Sequence, residues 1–186
     1  FERELLNVTN KLSFKKIDNI IDIGSNIGAH TFQFAKNYKS TKVYSIEPTD
    51  FAFEKLRNNL KINNNFKYQI QIFQYFLGEN HLPSQIYSSW SLLGDEKSHY
   101  LHKGILKSTK NAKSLSLDEF VSKYKIKGNT LIKCDVDGYE LEVLRSGKNF
   151  LKKNKPHIIM ELAPYLYNEN GYNKKDIFNF FERLGY

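Results

Sequence analysis

The sequence predicts an α/β fold in which helices cover both faces of a mostly parallel sheet. Short β-branched runs alternate with segments of helical periodicity along most of the 186 residues, and this alternation is typical of parallel sheets. Glycine or acidic residues follow several of these runs, at the positions where such sheets bind ligands. We therefore expect a three-layer sandwich formed by a single domain over residues 1–186.

The composition is that of a globular protein without a membrane span. The hydrophobic content is 40% and the aromatic content 15%, and no apolar run approaches the roughly 18 residues that cross a bilayer. Cys134 is the only cysteine, which excludes an internal disulfide and indicates a reducing, cytoplasmic compartment. We interpret Cys134 as a small buried residue of a strand rather than as a nucleophile.

The chain is basic, because 28 Lys and Arg residues against 20 Asp and Glu residues give a net charge of +8. This balance raises the hypothesis of a nucleic-acid or other anionic partner. The lysines are spread along the chain rather than clustered, so we disfavour nucleic acid as the partner.

The first strand, glycine loop and helix are predicted near the start of the chain. Ile20–Ile23 is a short β-branched run, Gly24 and Gly28 bound a tight loop, and a helix follows that ends near Tyr38. Glycine is favoured where φ is positive or where a ligand contacts the main chain, and the first N–H groups of a helix then face that ligand. We therefore expect this loop to bind a cofactor.

The spacing of the loop indicates which cofactor. Gly24 and Gly28 lack the middle glycine of the dinucleotide pattern G-x-G-x-x-G, which disfavours a diphosphate. Ser25 and Asn26 instead offer polar groups to a smaller ligand end, such as an amino-acid carboxylate and ammonium. The next strand-like run ends in Glu47, whose carboxylate can accept from both hydroxyls of a ribose. Adenosine joined to an amino acid is S-adenosylmethionine.

The next helix and the third strand follow. Pro48 ends the second strand, and Thr49 or Asp50 is predicted to cap a helix. Its expected apolar face consists of Phe51, Phe53, Leu56 and Leu60. Phe66–Phe76 alternates as a third strand, with Tyr68, Ile70 and Ile72 expected on one side. Phe76, Leu77 and Gly78 are expected near the adenine, because ligands bind beyond the carboxyl ends of parallel strands.

The rhythm of strands and helices breaks between Glu79 and Ala112. Proline, serine and glycine punctuate short β-like pieces there, and roughly 30 residues is long for a plain connection. We expect an inserted hairpin or lid over the sheet. Trp90, the only tryptophan, is expected either in the lid or partly buried against the sheet.

Besides a helix over residues 139–145, described below, three further helices are predicted, one of them at the C-terminal end. Residues 2–12 form a short entry helix in this interpretation, and Ser116 with Glu119 forms the capping box of another that ends near residue 124. Residues 174–184 predict the last helix. Its expected apolar face consists of Ile177, Phe178, Phe181 and Leu184.

The fourth and fifth strands each end in an acidic residue. Residues 129–135 alternate so that Lys133 and Asp135 share one face, while Asp137 already lies in the following turn. Glu140 then suits the positive end of a helix over residues 139–145. The fifth strand, residues 155–161, ends in Glu161.

Four segments together resemble the FkbM family of S-adenosylmethionine-dependent methyltransferases. They are IDIGSNIG at 21–28, YSIEP at 44–48, SLDEF at 116–120 and LIKCDVDGYELEVL at 131–144, the last being the most specific. The resemblance runs from about Ile20 to Glu161 and implies a Rossmann-like methyltransferase fold. The chain departs from the family in having Asp137 where glutamate is more frequent. It also lacks the terminal strands that close the sheet of such enzymes.

The resemblance implies O-methylation of a hydroxyl on a sugar, glycan or other natural product, with S-adenosylmethionine as the cofactor. It argues against amino methylation of nucleic acid, because Asp135–Gly138 stands where those enzymes carry an Asp/Asn-Pro-Pro-aromatic turn. The predicted cofactor-binding residues are Asp22, Gly24, Ser25, Asn26, Ile27, Gly28, Thr31, Glu47, Pro48, Phe76, Leu77 and Asp135.

Transfer to an alcohol requires a base beside the methyl group. We favour Asp135, with Glu161 second, and place His157 at the wrong end of its strand. Asp135 is alternatively the group that binds the ammonium of the cofactor. In a second alternative, Asp135 and Glu161 hold a divalent cation.

Two other classes of function stay open at this point. One is an NAD-dependent oxidoreductase, which the missing middle glycine disfavours. The other is a nucleotide-binding or basic nucleic-acid-binding module without methyl transfer. Neither accounts for the motif at 131–144.

Overall fold

The computed structural model describes residues 16–79, 82–88, 99, 101–102 and 104–186. The predicted entry helix of residues 2–12 and Trp90 therefore lie outside the described residues. In chain order the elements are β1 (Asn19–Ile23), α1 (Ala29–Asn37), β2 (Lys42–Ile46), α2 (Asp50–Ile62), β3 (Ile70–Phe73), β4 (Tyr75–Leu77), β5 (Gln85–Ser88), β6 (Ile105–Ser108), β7 (Lys113–Leu115), α3 (Leu117–Lys123), β8 (Thr130–Cys134), α4 (Glu140–Ser146), α5 (Lys148–Asn154), β9 (His157–Met160), α6 (Pro164–Tyr167) and α7 (Lys174–Leu184).

The central sheet confirms the predicted α/β class. Its five strands lie in the order β3-β2-β1-β8-β9, and every neighbouring pair is parallel. Ile23 is opposite both Ile46 and Cys134, so the carboxyl ends of β1, β2 and β8 are level. The loops that follow these three strands consequently meet at one edge of the sheet, beside the order reversal at β1 and β8.

Helices pack on both faces of this sheet, as predicted. On one face Ile20, Val43 and Leu131 are buried with Phe34 and Ala35 of α1. On the other face alternate residues of the same strands pack against α3, α4, α5 and α7. That larger cluster includes Ile21, Ile23, Ile132, Phe120, Leu141, Leu151 and Ile177. The alternation of side chains along each strand explains how both faces become apolar.

The third strand is shorter than predicted. Only Ile70–Phe73 pairs with β2, and Tyr75–Leu77 pairs instead with β7 in a separate two-stranded sheet. Asn64–Phe66 forms a 3-10 turn, and Tyr68 is 87% exposed. The alternating pattern of Phe66–Phe76 is thus divided among a turn and two strands with different partners, which periodicity alone does not reveal.

The segment between Glu79 and Ala112 contains the predicted hairpin pairing. Within its described residues, β5 and β6 are antiparallel, with Ile86 opposite Lys107 and Tyr87 opposite Leu106. Asp50 at the start of α2 attaches β6 to the body of the protein, because it accepts a hydrogen bond of 2.5 Å from Ser108 Oγ.

The apolar faces predicted for α2 and α7 are buried at their central residues, and each prediction is wrong at one residue. Leu56 and Ile177 are buried, whereas Phe51 is 44% exposed and Phe178 48% exposed. Lysine ammonium groups lie over both exposed rings, and these cation–π contacts stabilise aromatic rings that are exposed to water. The capping box of Ser116 is present. Among the described residues, no helix has the length and apolarity needed to cross a membrane.

Candidate active site

The loop after β1 turns tightly against the end of β8. Gly24 has φ +74°, and the N–H groups of Gly24 and Ser25 both donate to the Ile46 carbonyl at 3.0 Å. A Cβ on Gly24 would lie 1.8 Å from the carbonyl oxygen of Asp135. Both the positive φ and this close approach require glycine.

The same loop ends at the first turn of α1. Asn26 has φ +50° and Gly28 has φ +93°, and the Gly28 N–H donates to the Ser25 carbonyl at 2.8 Å. A Cβ on Gly28 would lie 2.6 Å from Leu56 Cδ1. Gly28 therefore allows α1 to begin against α2, and its role is in packing.

Glu47 holds this loop in place from the end of β2. Its Oε2 accepts from the Asn26 N–H at 3.0 Å, and its Oε1 accepts from the N–H and hydroxyl of Thr49 at 2.9 and 2.5 Å. Burial raises the pKa of Glu47, although these three hydrogen bonds oppose the rise. Because a carboxylate offers about four acceptor positions, Oε2 keeps one for a ligand.

A buried lysine connects the ends of β1 and β8. Lys133 Nζ lies 3.4 Å from Asp22 Oδ1 and 3.0 Å from Asp135 Oδ2, and it donates to the Gly24 carbonyl at 2.9 Å. Asp22 also accepts from the Thr31 hydroxyl at 2.6 Å. Asp22 and Thr31 thus fix the lysine and the helix beneath the site.

The charges around Asp135 set its protonation state. Burial lowers the pKa of Lys133, but the carboxylates of Asp22 and Asp135 raise it by more, so that the net shift is upward. Burial raises the pKa of Asp135, but Lys133 and other groups lower it, so that the net shift is downward. A hydrogen bond with the Glu161 side chain and the charge of His30 lower the pKa of Asp135 further. Asp135 is therefore an ionised carboxylate at neutral pH.

These groups surround a cavity of about 430 Å³ at the carboxyl ends of the strands. That volume lies in the range of small-molecule and cofactor sites. Of the predicted site residues, ten line the cavity: Gly24, Ser25, Asn26, Ile27, Glu47, Pro48, Phe76, Leu77, Asp135 and Glu161.

The structure places the other predicted residues outside the lining. Asp22 and Thr31 are fully buried behind it, and Gly28 packs against α2. Gly78, expected near the adenine, has its Cα beside Glu142 rather than on the cavity. His157 is exposed at the first residue of β9, the end opposite to the cavity, as expected.

Sequence reasoning missed several residues that line the cavity. Lys133 belongs to the motif at 131–144, but no function was assigned to it, and His30 comes directly after the glycine loop. Both residues could therefore have been predicted from the sequence. Ile86 and Tyr87 reach the cavity from the hairpin, and no motif marks them. The other missed lining residues are Ile23, Ala29, Ile46, Thr49, Tyr75, Val136, Asp137, Tyr139, Val143 and Tyr165.

The turn after β8 is held by a buried acid. Asp137 and Gly138 have φ +48° and +102°, and Glu140 Oε1 accepts from the Gly138 N–H at 3.2 Å. Glu140 is fully buried, and burial raises its pKa. Tyr172 Oη donates to the Gly138 carbonyl at 2.5 Å. Glu140 occupies the first turn of α4 as predicted, and it also stabilises the turn that carries Asp137.

The lining fits the amino-acid end and the ribose of the predicted cofactor. Ser25 is 5% exposed, and its hydroxyl has no hydrogen-bond partner among the described residues. The Gly24 backbone leaves no room for a side chain, and Glu47 keeps a free acceptor position beside it. An unpartnered buried hydroxyl is costly unless a ligand or water binds it.

Comparison with known proteins agrees with this geometry. The sequence profile of the methyltransferase FkbM domain matches residues 22–186. No match was found among curated proteins.

Solved structures of methyltransferases and related proteins share the fold. Methyltransferase FkbM from Methylobacillus flagellatus KT is 20% identical with a TM-score of 0.61, over 95% of this chain and 40% of that one. Precorrin-6y C5,15-methyltransferase from Geobacter metallireducens GS-15 is 14% identical with a TM-score of 0.55, over 99% and 72%. Precorrin 8W decarboxylase from Methanobacterium thermoautotrophicum is 18% identical with a TM-score of 0.50, over 99% and 72%. At these identities the likeness is one of fold.

Proposed function

This chain belongs to the methyltransferase FkbM domain family, and on that premise we propose that it methylates a hydroxyl group of a sugar, glycan or natural product. The cofactor is S-adenosylmethionine. The chain spans about two fifths of the length of the FkbM structure that it matches, so the acceptor and the activity of the whole protein belong to this proposal.

One observation carries the proposal. The glycine loop, the Glu47 carboxylate and the neighbouring carboxyl groups of Asp135 and Glu161 all border the same cavity. A cofactor held by the first two would have the two strand-end acids beside its reactive part, and an acceptor hydroxyl needs such an acid to take its proton.

Bound S-adenosylmethionine would supply an activated methyl group on a sulfonium. In this proposal the Ser25 hydroxyl and the loop backbone bind the methionine end, and Glu47 accepts from the ribose. Phe76 and Leu77 are buried side chains of the lining and exclude water from the adenine side. Holding the reacting groups in line and removing water are the main requirements of this displacement.

Asp135 and Glu161 are the two candidate bases. Asp135 is the weaker base of the two, because it forms an ion pair with Lys133. A general base works best with a pKa near the working pH, and Lys133 holds the pKa of Asp135 below its ordinary value despite the burial that opposes this shift. We therefore assign proton removal to the ionised form of Glu161, which is exposed to the cavity, and binding of cationic groups to Asp135. The proton that Glu161 takes would then be the one shared in its hydrogen bond with the Asp135 carboxylate.

Two measurements test the proposed function. Calorimetric titration with S-adenosylhomocysteine should show stoichiometric binding, and transfer of labelled methyl groups should then be assayed on hydroxylated glycans and lipids. Glu161→Gln should reduce turnover at least about a hundredfold with little change in the affinity for S-adenosylhomocysteine.

Three outcomes would contradict parts of the proposal. Binding without transfer to any hydroxylated acceptor would favour a nucleotide-binding module. Transfer to amines and not to hydroxyls would refute O-methylation. Loss of activity with a chelator, restored by a divalent cation, would favour the alternative in which Asp135 and Glu161 hold a metal.

A further inference from the structure

We propose that Lys133 is a positioning residue that sets both the glycine loop and the ionised carboxylate of Asp135 before the cofactor binds. The proposal deepens the proposed function, because it concerns how the same cavity is prepared for S-adenosylmethionine.

The geometry gives this lysine three partners from three parts of the chain. Its ammonium contacts Asp22 on β1, the Gly24 carbonyl in the loop, and Asp135 after β8. The two short contacts, with the Gly24 carbonyl at 2.9 Å and Asp135 Oδ2 at 3.0 Å, have hydrogen-bond distances, whereas Asp22 Oδ1 at 3.4 Å is an ion-pair partner without a hydrogen bond. Lys133 is 4% exposed, so water does not replace any of these partners.

The contact with Gly24 concerns the loop that carries the unpartnered Ser25 hydroxyl. Because Gly24 passes directly against the Asp135 carbonyl, the lysine binds the loop and the strand end at the place where they touch. Without the ammonium, the Gly24 carbonyl would lose its donor and the loop would lose this side-chain link to β8.

The contact with Asp135 keeps a negative charge on the cavity wall. Asp22 lies behind the lysine and does not line the cavity, so the two carboxylates are not equivalent. Asp22 balances the charge of the buried ammonium, whereas Asp135 also faces the ligand. One lysine between two carboxylates thus leaves a net negative charge on the side of the cavity.

Other ionisable groups face Asp135 and must be separated from its effect. They are His30 on α1, Glu161 after β9, and Asp137 and Tyr165 on the adjoining cavity wall. All four residues are present in every variant used below.

The test compares S-adenosylhomocysteine affinity in Asp22→Asn/Lys133→Met with the wild type between pH 7.5 and 5. Replacing both charges avoids leaving the fully buried Asp22 carboxylate unpaired, which would itself be strongly destabilising. We expect weaker binding at pH 7.5 by about tenfold or more, and a further loss of about fivefold at pH 5 that the wild type does not show.

The sign of this pH effect follows from Asp135. Lys133 lowers its pKa in the wild type, so the carboxylate stays charged until the pH falls below the ordinary Asp value of about 3.9. Without the lysine, burial raises that pKa, and the affinity falls as the pH drops through the higher value. Adding Asp135→Asn to the double variant should abolish the extra loss, which a merely structural role of Lys133 does not predict.

Lys36→Met is the control for removal of a lysine side chain, because Lys36 is an exposed lysine of α1 that does not line the cavity. Its affinity should equal that of the wild type. Identical affinity and pH profile in Asp22→Asn/Lys133→Met and the wild type would overturn the inference while leaving the proposed function intact. Absence of binding by the wild type would overturn both.

A wild-type measurement covers the case in which the double variant does not fold. The inference requires that Asp135→Asn weakens binding and that the wild type and Asp135→Asn share one pH profile above pH 5. A loss of affinity in the wild type above pH 5 that Asp135→Asn removes would refute it.

Discussion

At the residue scale, the candidate site depends on a few side chains and on one glycine. Glycine at position 24 allows the loop to touch the end of β8. Glu47 accepts one hydrogen bond from this loop, at the Asn26 N–H, and two from Thr49 before α2. Asp135 is paired with Lys133. Each of these contacts predicts a measurable effect that a general loss of stability would not reproduce.

Gly24→Ala should abolish binding of S-adenosylhomocysteine and lower the free energy of unfolding by about 3 kcal/mol or more. The added methyl would require both a positive φ and a shift of the Asp135 carbonyl. Gly171→Ala is the control, because Gly171 has a similar φ of +71° but no atom within 4 Å of the added Cβ. It should cost about 1 kcal/mol and leave binding unchanged. Equal effects of the two substitutions in calorimetry and urea unfolding would contradict the close contact.

Glu47→Gln should weaken binding of S-adenosylhomocysteine about tenfold. The amide nitrogen of glutamine is a donor, so it would face either the Asn26 N–H or the Thr49 N–H instead of accepting from it. Glu119→Gln provides the control, since Glu119 also accepts from a backbone N–H and a hydroxyl, both of Ser116, on a surface away from the cavity. Calorimetry should show normal affinity for that variant, and comparable weakening in both would argue against a ligand at Glu47.

At the element scale, the hairpin β5–β6 is the part of the site that belongs least to the central sheet. Ile86 and Tyr87 reach the cavity, but within the part of the chain that the structure describes, β5 and β6 pair only with each other. Its described hydrogen bonds to α2 converge on Asp50, which accepts from Ser108 and from the Asn111 N–H. Burial is the largest single influence on the pKa of Asp50 and raises it, but the hydrogen bonds from Ser108, Asn111 and Gln74 together lower this pKa below its ordinary value.

Asp50→Ala should increase amide hydrogen exchange in Gln85–Ser88 and Ile105–Ser108 several-fold while β1 and β8 keep their protection, because local openings follow local contacts. Asp118→Ala is the matched control. Asp118 accepts from the Asn149 and Phe150 N–H groups, so the control should loosen α5 and leave the hairpin unchanged. Unaltered exchange of the hairpin in Asp50→Ala, measured by mass spectrometry, would show that other contacts hold it.

The third strand shows at the same scale why boundaries are harder to predict than elements. The alternation in Phe66–Phe76 was correct in kind, because Ile70–Phe73 and Tyr75–Leu77 are both strands. Their partners differ, since one pairs with β2 and the other with β7. Pairing depends on distant segments, and a local period of two carries no information about it.

At the scale of the whole molecule, the net charge and the charge of the site differ in sign. The chain carries +8, yet the described lining of the cavity contains four acidic residues and a single lysine, which is itself paired. The acids are Glu47, Asp135, Asp137 and Glu161. A phosphate entering the cavity would therefore meet charge of its own sign.

RNA should not be a methyl acceptor despite the basic composition. Incubation of the protein with labelled S-adenosylmethionine and total RNA should leave the RNA unlabelled, whereas a hydroxylated acceptor found by screening is labelled in the same buffer. Weak RNA binding to surface lysines should disappear between 50 and about 200 mM salt. Incorporation of label into RNA that persists at the higher salt concentration would refute the prediction.

The sequence by itself determined the alternation of strands and helices, the glycine loop, the acids at the strand ends and the family. These features are local, because hydrophobic periodicity, turn residues and motif spacing are all properties of short segments of the sequence. The tertiary structure decided which acids face the cavity and which are paired. Asp22 and Lys133 are 111 positions apart, and only the level register of β1 and β8 brings them together. The hairpin residues Ile86 and Tyr87 reached the lining in the same way, since the pairing that places them depends on contacts between segments distant in the chain.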